Sequence, residues 1–186
     1  MASGARTIAG MVVVVLGMAL TGCASAPAPE PGPPTYALAP RPVRPDEKPL
    51  VPVASTDGDT VFELIGLTTG MTTVLGSHAE LPAKGQFVRV RLVVTNSGRN
   101  SVPFDADRQL LVTSNGAEHV PDSQAMLVKR QPGRIDIGPA NLLEFDLYYD
   151  IPTDAEPAAL RAFGGPSLAD FSDRTGVDIA IDAGGP

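Results

Sequence analysis

The chain has 186 residues, with 14 Lys and Arg against 21 Asp and Glu, a formal charge of −7 and a single cysteine. This acidic balance argues against nucleic-acid binding, which needs a basic face for the phosphates, and against attachment to an anionic membrane through overall charge. One cysteine excludes an intrachain disulfide, so an exported domain depends on its packed core for stability.

The first 22 residues have the pattern of a signal peptide. Arg6 supplies the positive n-region, and residues 8–20 form a short apolar segment before Thr21-Gly22-Cys23. Leu-Thr-Gly before a cysteine resembles the bacterial lipobox, which implies cleavage between Gly22 and Cys23 and acylation of Cys23. An ordinary secretory signal and an uncleaved anchor are the alternatives, although a membrane span needs ~20 apolar residues. We therefore expect a lipid-anchored protein on the extracytoplasmic side of the cell membrane, held in the bilayer by acylated Cys23.

A disordered Pro-rich tether is predicted to follow, so that residues 23–59 comprise the lipidated cysteine and this tether. Ten of the nineteen prolines lie between positions 24 and 53. Such a segment lacks backbone donors, favours polyproline II and buries too little apolar area to fold. The alternative is a proline-rich recognition segment that binds in the groove of a partner.

Two strong strands dominate the remainder. In residues 87–96, Val88, Val90, Leu92 and Val94 share one face, and Arg89, Arg91 and Thr95 share the other. In residues 142–151, five apolar side chains alternate with Glu144, Asp146, Tyr148 and Asp150. A period of two places one face of each strand in a core and the other in water.

Weaker β-prone runs fill the rest of the chain. They lie at 61–67, 72–75, 101–104, 109–113, 118–120, 135–137 and 177–181. Asn115-Gly116 predicts a hairpin turn between two of them, at 114–117. Residues 125–129 fit either a strand or a loop end, residues 167–171 fit one helical turn, and 69–86 and 121–134 are expected to be long connections.

Seven to nine short strands without a long helix predict an all-β antiparallel β-sandwich over residues 60–182, followed by a disordered tail at 183–186. An up-and-down barrel is the alternative. The irregular strand lengths and the two long connections count against it.

A family resemblance supports this fold. The run Lys84-Gly85-Gln86-Phe87-Val88-Arg89-Val90, ending at Asn96, resembles the Gly-Lys-aromatic-Val-x-Val-x-Val-x-Asn signature of the telokin-like domain family of bacterial lipoproteins. That family is related in fold to a secreted immunogenic antigen of mycobacteria. The resemblance covers about residues 60–182 and implies an immunoglobulin-like sandwich, an actinobacterial envelope and no assigned catalytic residues. Gly138-Pro139 inverts the family's usual Pro-Gly, so a different turn is expected there.

Metal-binding patterns are weak. His78, His119, Met71 and Met126 are candidate copper ligands by type, but no His-x-His or Met-rich cluster brings them together in the sequence. Solvated surface histidines are the favoured interpretation.

Two pairs of aspartates offer oxygens for calcium. Asp57-Gly58-Asp59 and Asp105-Ala106-Asp107 each lie in a predicted turn, but the full twelve-residue calcium loop is absent from the sequence. Acids in turns more often make local hydrogen bonds, so we predict no metal.

Catalytic patterns are also weak. Glu144, Asp146 and Asp150 form an acidic stripe that could serve glycoside hydrolysis, but the chain has no tryptophan to hold a sugar. We predict instead that this stripe is the solvated face of a strand. Because the sequence has no nucleophile elbow, phosphate loop or HExxH motif, we predict no enzyme activity and no cofactor.

The remaining prediction is a non-catalytic binding module for an unidentified envelope protein or envelope component. The candidate loops are 69–86, 105–108, 114–117 and 121–134. Lys129, Arg130 and Arg134 form the candidate partner-binding cluster, unless they only balance local acids. A carrier of a small apolar ligand or lipid between the sheets is one alternative. A surface antigen-like protein with no dedicated ligand is another.

Overall fold

The computed structural model of the protein describes residues 42–165 and 175–181. In this part, eleven strands accompany one short α-helix and one 3-10 helix, Ala106–Arg108. The strands and the α-helix are β1 (Lys48–Pro49), β2 (Ala54–Asp57), β3 (Thr60–Leu75), β4 (Glu80–Asn96), β5 (Val102–Asp105), β6 (Leu110–Thr113), β7 (Glu118–His119), α1 (Ser123–Val128), β8 (Arg134–Ile137), β9 (Leu142–Ile151), β10 (Pro157–Ala162) and β11 (Val177–Ala180). The predicted signal peptide, Cys23, the helical turn at 167–171 and the tail at 183–186 lie outside the described residues.

Two antiparallel sheets and a small ribbon build the domain. One sheet has the order β1-β3-β4-β9 with β2 also paired to β3, the second has the order β11-β10-β6-β7, and β5 pairs with β8. The strands β3, β4 and β9 run side by side over most of their lengths. The predicted all-β, immunoglobulin-like antiparallel sandwich is confirmed.

The apolar faces of the strong strands form the core. Val88, Val90, Leu92 and Val94 are all completely buried, as the period of two predicts. Phe104 packs on Phe145 with ring centroids 4.7 Å apart. The Tyr149 hydroxyl donates to the backbone oxygen of Gln109 at 3.1 Å, and burial raises the pKa of Tyr149, so the phenol stays protonated.

The prediction of a long connection at 69–86 is wrong, because β3 and β4 continue through this segment as one long hairpin. Only residues 76–79 form the turn, closed by the Gly76 amide donating to the Ala79 carbonyl at 2.7 Å. The ladder shifts register between Thr68 and Met71 and again between Met71 and Thr73. These irregularities break the period of two, so the sequence pattern of this segment is typical of a loop and not of a strand.

Two further segments differ from expectation. The segment 125–129, predicted as strand or loop, lies mostly in α1, whose first turn is capped by Asp122 accepting from the Ala125 amide at 2.8 Å. Strand β10 has no counterpart in the sequence prediction. Its Ala-rich run has low β propensity, and its place in the sheet comes from pairing with β6 and β11.

The predicted boundary at residue 60 is also wrong, since residues 42–57 belong to the domain. We call residues 42–50 the strap. Its strand β1 pairs with Gly66 and Leu67 of β3, and β2 then pairs with residues 60–63 of the same strand. Proline-rich composition predicts a tether, but here the prolines flank an acidic dipeptide, Asp46-Glu47, whose charges face the sheet.

The turn at Gly138-Pro139 depends on the backbone conformation of Ala140. The Asn141 amide donates to the Gly138 carbonyl at 3.2 Å, and Ala140 has a φ of 56°, in the left-handed region that favours glycine. We expect Ala140→Gly to leave the free energy of unfolding unchanged or to raise it by up to about 1 kcal/mol, because relief of the Cβ strain opposes the added flexibility of the unfolded chain. Chemical denaturation measures this difference, and a clear loss of stability would contradict it.

Candidate functional site

The outer face of the first sheet is covered by the strap and is not exposed to solvent. The Glu47 carboxylate lies 2.7 Å from Arg91 Nη2 and 3.1 Å from Arg91 Nε, and its side chain has no exposed surface. Arg89 Nη2 reaches Asp46 at 3.1 Å and the Thr68 hydroxyl at 2.9 Å. Both arginines therefore have their charges balanced by the strap, although sequence periodicity predicts that they face solvent.

The acidic stripe is likewise not a solvated face, and that prediction is wrong. Arg44 Nη1 contacts both Asp146 oxygens, at 3.0 and 2.8 Å, and Arg91 Nη1 lies 3.1 Å from Glu144. The third member, Asp150, accepts from the Lys84 and Gly85 amides at 2.8 and 3.1 Å. The strap and β4 therefore form hydrogen bonds and ion pairs with the three carboxylates that the sequence offered as candidates for acid–base catalysis.

Tyr148 is also buried on this face of the sheet, beneath the strap. Its hydroxyl and Arg89 Nε are buried without a hydrogen-bond partner among the described residues. Burial raises the pKa of Tyr148, and the Asp146 charge raises it further, while the Arg89 charge lowers it. The net shift is upward, so the phenol remains neutral.

The candidate metal ligands are dispersed. Met71 lies in β3, Met126 is buried in α1, His78 is exposed in the β3–β4 turn and His119 lies in β7. No group of three or more His, Cys, Asp or Glu side chains placed to hold a metal occurs in the described part of the chain.

The candidate calcium turns make internal contacts. Asp57 accepts from the Gly164 amide at 2.7 Å, and Asp105 pairs with Arg134 at 2.6 Å. Arg134 is therefore engaged by β5 and is not grouped by any contact with the other two predicted partner-binding cations.

Lys129 and Arg130 instead lie against the β3–β4 turn. Lys129 Nζ donates to the Leu75 carbonyl at 3.0 Å, and Arg130 Nη2 lies 3.4 Å from the Ser77 hydroxyl. Gly76 packs closely on this end of α1, where an added Cβ would lie 2.7 Å from Val128 Cγ1. We call the resulting surface, formed by Leu75, Ser77, Leu127, Lys129 and Arg130, the tip surface.

Backbone contacts hold α1 in place against the sheet. The Asp122 amide donates to the Tyr148 carbonyl at 2.8 Å, and Ala125 and Met126 are buried. At the other end, Gln131 N donates to Met126 O and Arg130 N to Leu127 O, at 2.9 and 3.0 Å, which is a Schellman motif. Arg130 occupies its left-handed position, with a φ of 55°, where glycine is usual.

The tip surface combines exposed apolar side chains with unpaired cations. Leu75 is 62% exposed and Leu127 is 77% exposed. Five arginines of the described residues pair with carboxylates, namely Arg44, Arg89, Arg91, Arg134 and Arg161. Lys129 and Arg130 contact neutral oxygens, and no carboxylate among the described residues forms an ion pair with either.

A groove of about 570 Å³ lies beside the start of α1, lined by residues 84–85, 120–123 and 150–152. It opens at the surface, next to Val120, which is exposed. It does not lie between the sheets, where the core side chains pack against each other.

The family model of a domain of unknown function, DUF4352, matches residues 54–171. The chain belongs to this family. No curated protein matches the DUF4352 chain in sequence.

Three solved structures are similar. A conserved hypothetical protein from Bacillus anthracis is 12% identical, with a TM-score of 0.49 over 74% of this chain and 98% of that one. The yjhA protein from Bacillus subtilis is 14% identical, with a TM-score of 0.49 over 72% and 98%. The secreted protein MPT63 from Mycobacterium tuberculosis is 17% identical, with a TM-score of 0.38 over 62% and 86%.

Sequence reasoning found the two cations of the tip surface in this DUF4352 domain but missed Leu75, Leu127 and the whole strap. The signal for the strap was the pair of outward-facing arginines, Arg89 and Arg91, of which Arg91 lies opposite Asp146 on β9. Charges of both signs on neighbouring strands indicate cross-strand pairing. Among the residues that the structure describes, no helix is both long and apolar enough to cross a membrane.

Proposed function

We propose that the protein is a membrane-anchored envelope lipoprotein of the telokin-like type, whose β-sandwich is a non-catalytic binding module. The lipobox-like Leu20-Thr21-Gly22-Cys23 supports acylation of Cys23 and placement on the extracytoplasmic side of the membrane. The binding surface is the tip surface, and its target is an anionic component of the envelope.

One observation carries this proposal. The tip surface presents two exposed leucines beside two cations, and no carboxylate among the described residues forms an ion pair with either cation. Exposed apolar side chains beside unpaired charge are typical of interaction sites. The short α1 and the tight turn are held by the Schellman motif and by Gly76, so the surface is preformed and loses little entropy on binding.

The strap supports a non-catalytic function. The carboxylates of Glu144 and Asp146 are bonded to arginines, and so they are not free to exchange protons with a substrate. The arginines of the same face are occupied by Asp46 and Glu47. This part of the molecule serves stability, and recognition is assigned to the tip.

In-cell photocrosslinking tests the proposal. We expect a photoreactive amino acid at Leu127 to capture a discrete envelope component, because Leu127 is the more exposed of the two leucines of the tip surface. The same label at Asn115, in the exposed β6–β7 turn, is the matched control and should give only background. The Leu127 adduct should be lost in Cys23→Ala, which removes the anchor.

The mass of the purified protein provides a separate check on acylation. A mature chain that starts at Cys23 and carries acyl groups is the expected result. An unmodified chain, or equal adducts at positions 127 and 115, would contradict the proposed function.

A further inference from the structure

We propose that the tip surface docks on the anionic lipid headgroups of the same bilayer that anchors Cys23. This inference rests on the proposed function and names the envelope component as phospholipid. The domain would then lie with its β3–β4 turn and the end of α1 at the membrane surface, instead of projecting freely on its tether.

The apolar part of the tip suits the membrane interface. Leu75 closes β3 and Leu127 lies near the end of α1, and the bond from Lys129 Nζ to the Leu75 carbonyl places these two ends together. Both leucines are more than half exposed. Leucines that project beyond a framework insert among headgroups and acyl chains, while the backbone behind them stays hydrogen-bonded.

The cations of the tip suit phosphate. Lys129 and Arg130 have neutral partners that a phosphate oxygen can replace or supplement, and an arginine presents several donors in a planar fork. The one carboxylate in the ladder beside them is Glu80, paired across from Leu75. Arg130 also keeps a left-handed backbone that glycine would adopt more easily, and such strain is concentrated at functional positions.

The acidic residues around the strap do not oppose this docking. Near the strap, the carboxylates of Asp46, Glu47, Glu144 and Asp146 are balanced in large part by Arg44, Arg89 and Arg91. These groups lie near residues 89–91 of β4, about 30 Å along the strand from Glu80 at ~3.3 Å per residue. Since the Debye length is about 8–10 Å in physiological salt, their remaining charge is screened at the tip.

The tether has sufficient reach. The chain from Cys23 to Pro42 can extend to about 60 Å at ~3.1 Å per residue, whereas the tip lies about 30 Å from the strap along β4. The anchor and the tip can therefore contact one bilayer at the same time. The anchor also raises the effective concentration of the tip at the membrane, so a weak contact is sufficient.

Hydrogen exchange of the acylated full-length mature protein tests this inference, in vesicles of phosphatidylcholine and in vesicles that also contain phosphatidylglycerol. We expect amides in residues 75–80 and 127–131 to exchange about tenfold more slowly on the anionic vesicles, a change of about 1.4 kcal/mol. The β6–β7 turn should be unaffected.

Three variants separate docking from folding. Leu127→Ser and Arg130→Gly should abolish the slowing, and Arg130→Gly should keep or raise the Tm because glycine accepts the left-handed backbone. Arg99→Ser, at an exposed position in the β4–β5 turn, is the control and should dock like the parent.

Equal exchange on both vesicle types, or slowing that survives in Leu127→Ser and Arg130→Gly, overturns the inference. Slowing that appears only after envelope proteins are added identifies a protein ligand; it overturns lipid docking and leaves the proposed binding function standing. Failure of the proposed function is recognised separately, by an unacylated Cys23.

Discussion

Replacing Glu47 with alanine is expected to lower the free energy of unfolding by about 3–5 kcal/mol, the usual cost of removing one partner from a buried ion pair. The Glu47 side chain is 0% exposed, and the Arg91 side chain beside it is 5% exposed. Without the carboxylate, Arg91 keeps Glu144 and the Pro42 carbonyl but loses two of its bonds. Chemical denaturation with an unchanged denaturant slope would measure the loss.

Asp46→Ala is the matched control for this variant. Asp46 also pairs with Arg89, at 3.1 Å, but its side chain is 58% exposed, so water can replace it. We expect a loss of about 1 kcal/mol or less, as for surface ion pairs. Similar losses for the two variants would show that burial does not determine the contribution of the strap carboxylates.

Gln109→Leu is expected to lower the free energy of unfolding by about 3 kcal/mol, because it leaves three partly buried backbone groups without partners. Gln109 is completely buried between the 3-10 helix and the end of β10. Its amide nitrogen donates to the Asp105 and Phe163 carbonyls at 2.8 and 3.1 Å, and its oxygen accepts from the Phe163 amide at 2.9 Å. Leucine fills the space but satisfies none of these groups.

Gln86→Leu provides the comparison at an accessible site. Gln86 bonds to the backbone of Gly70, Thr153 and Ala155, at 2.9 to 3.0 Å, but these contacts are near solvent. Water can satisfy the freed groups, so a loss of about 1 kcal/mol is expected. If Gln86→Leu costs as much as Gln109→Leu, the number of bonds matters more than their burial.

The central sheet could be predicted from the sequence because a period of two is a local signal. Val88 to Val94 on β4 and Leu143 to Ile151 on β9 alternate cleanly, and both strands pair along these lengths. Asn115-Gly116 likewise predicts its turn from local backbone preference, with Gly116 at a φ of 81°. In each case the residues that decide the structure lie within a few positions of one another.

The strap and the tip surface depend on distant residues, so local patterns do not predict them. Arg44 meets Asp146 across 102 positions of sequence, and Lys129 meets Leu75 across 54. The prolines around Asp46-Glu47 favour disorder when read alone, and the bulges of β3 hide the long hairpin. Lys129 and Arg130 could be selected by charge, but their leucine neighbours become recognisable only when the hairpin is in place.

The position of the strap determines which fragment can fold. A fragment limited to residues 54–171, the range of the family match, would lack the strap and β11. It would leave Arg89 and Arg91 uncovered and would free the backbone of Gly66 and Leu67 along the edge of β3. An exposed strand edge favours association between chains, so such a fragment is expected to aggregate more readily than one that begins at Pro42 and retains β11.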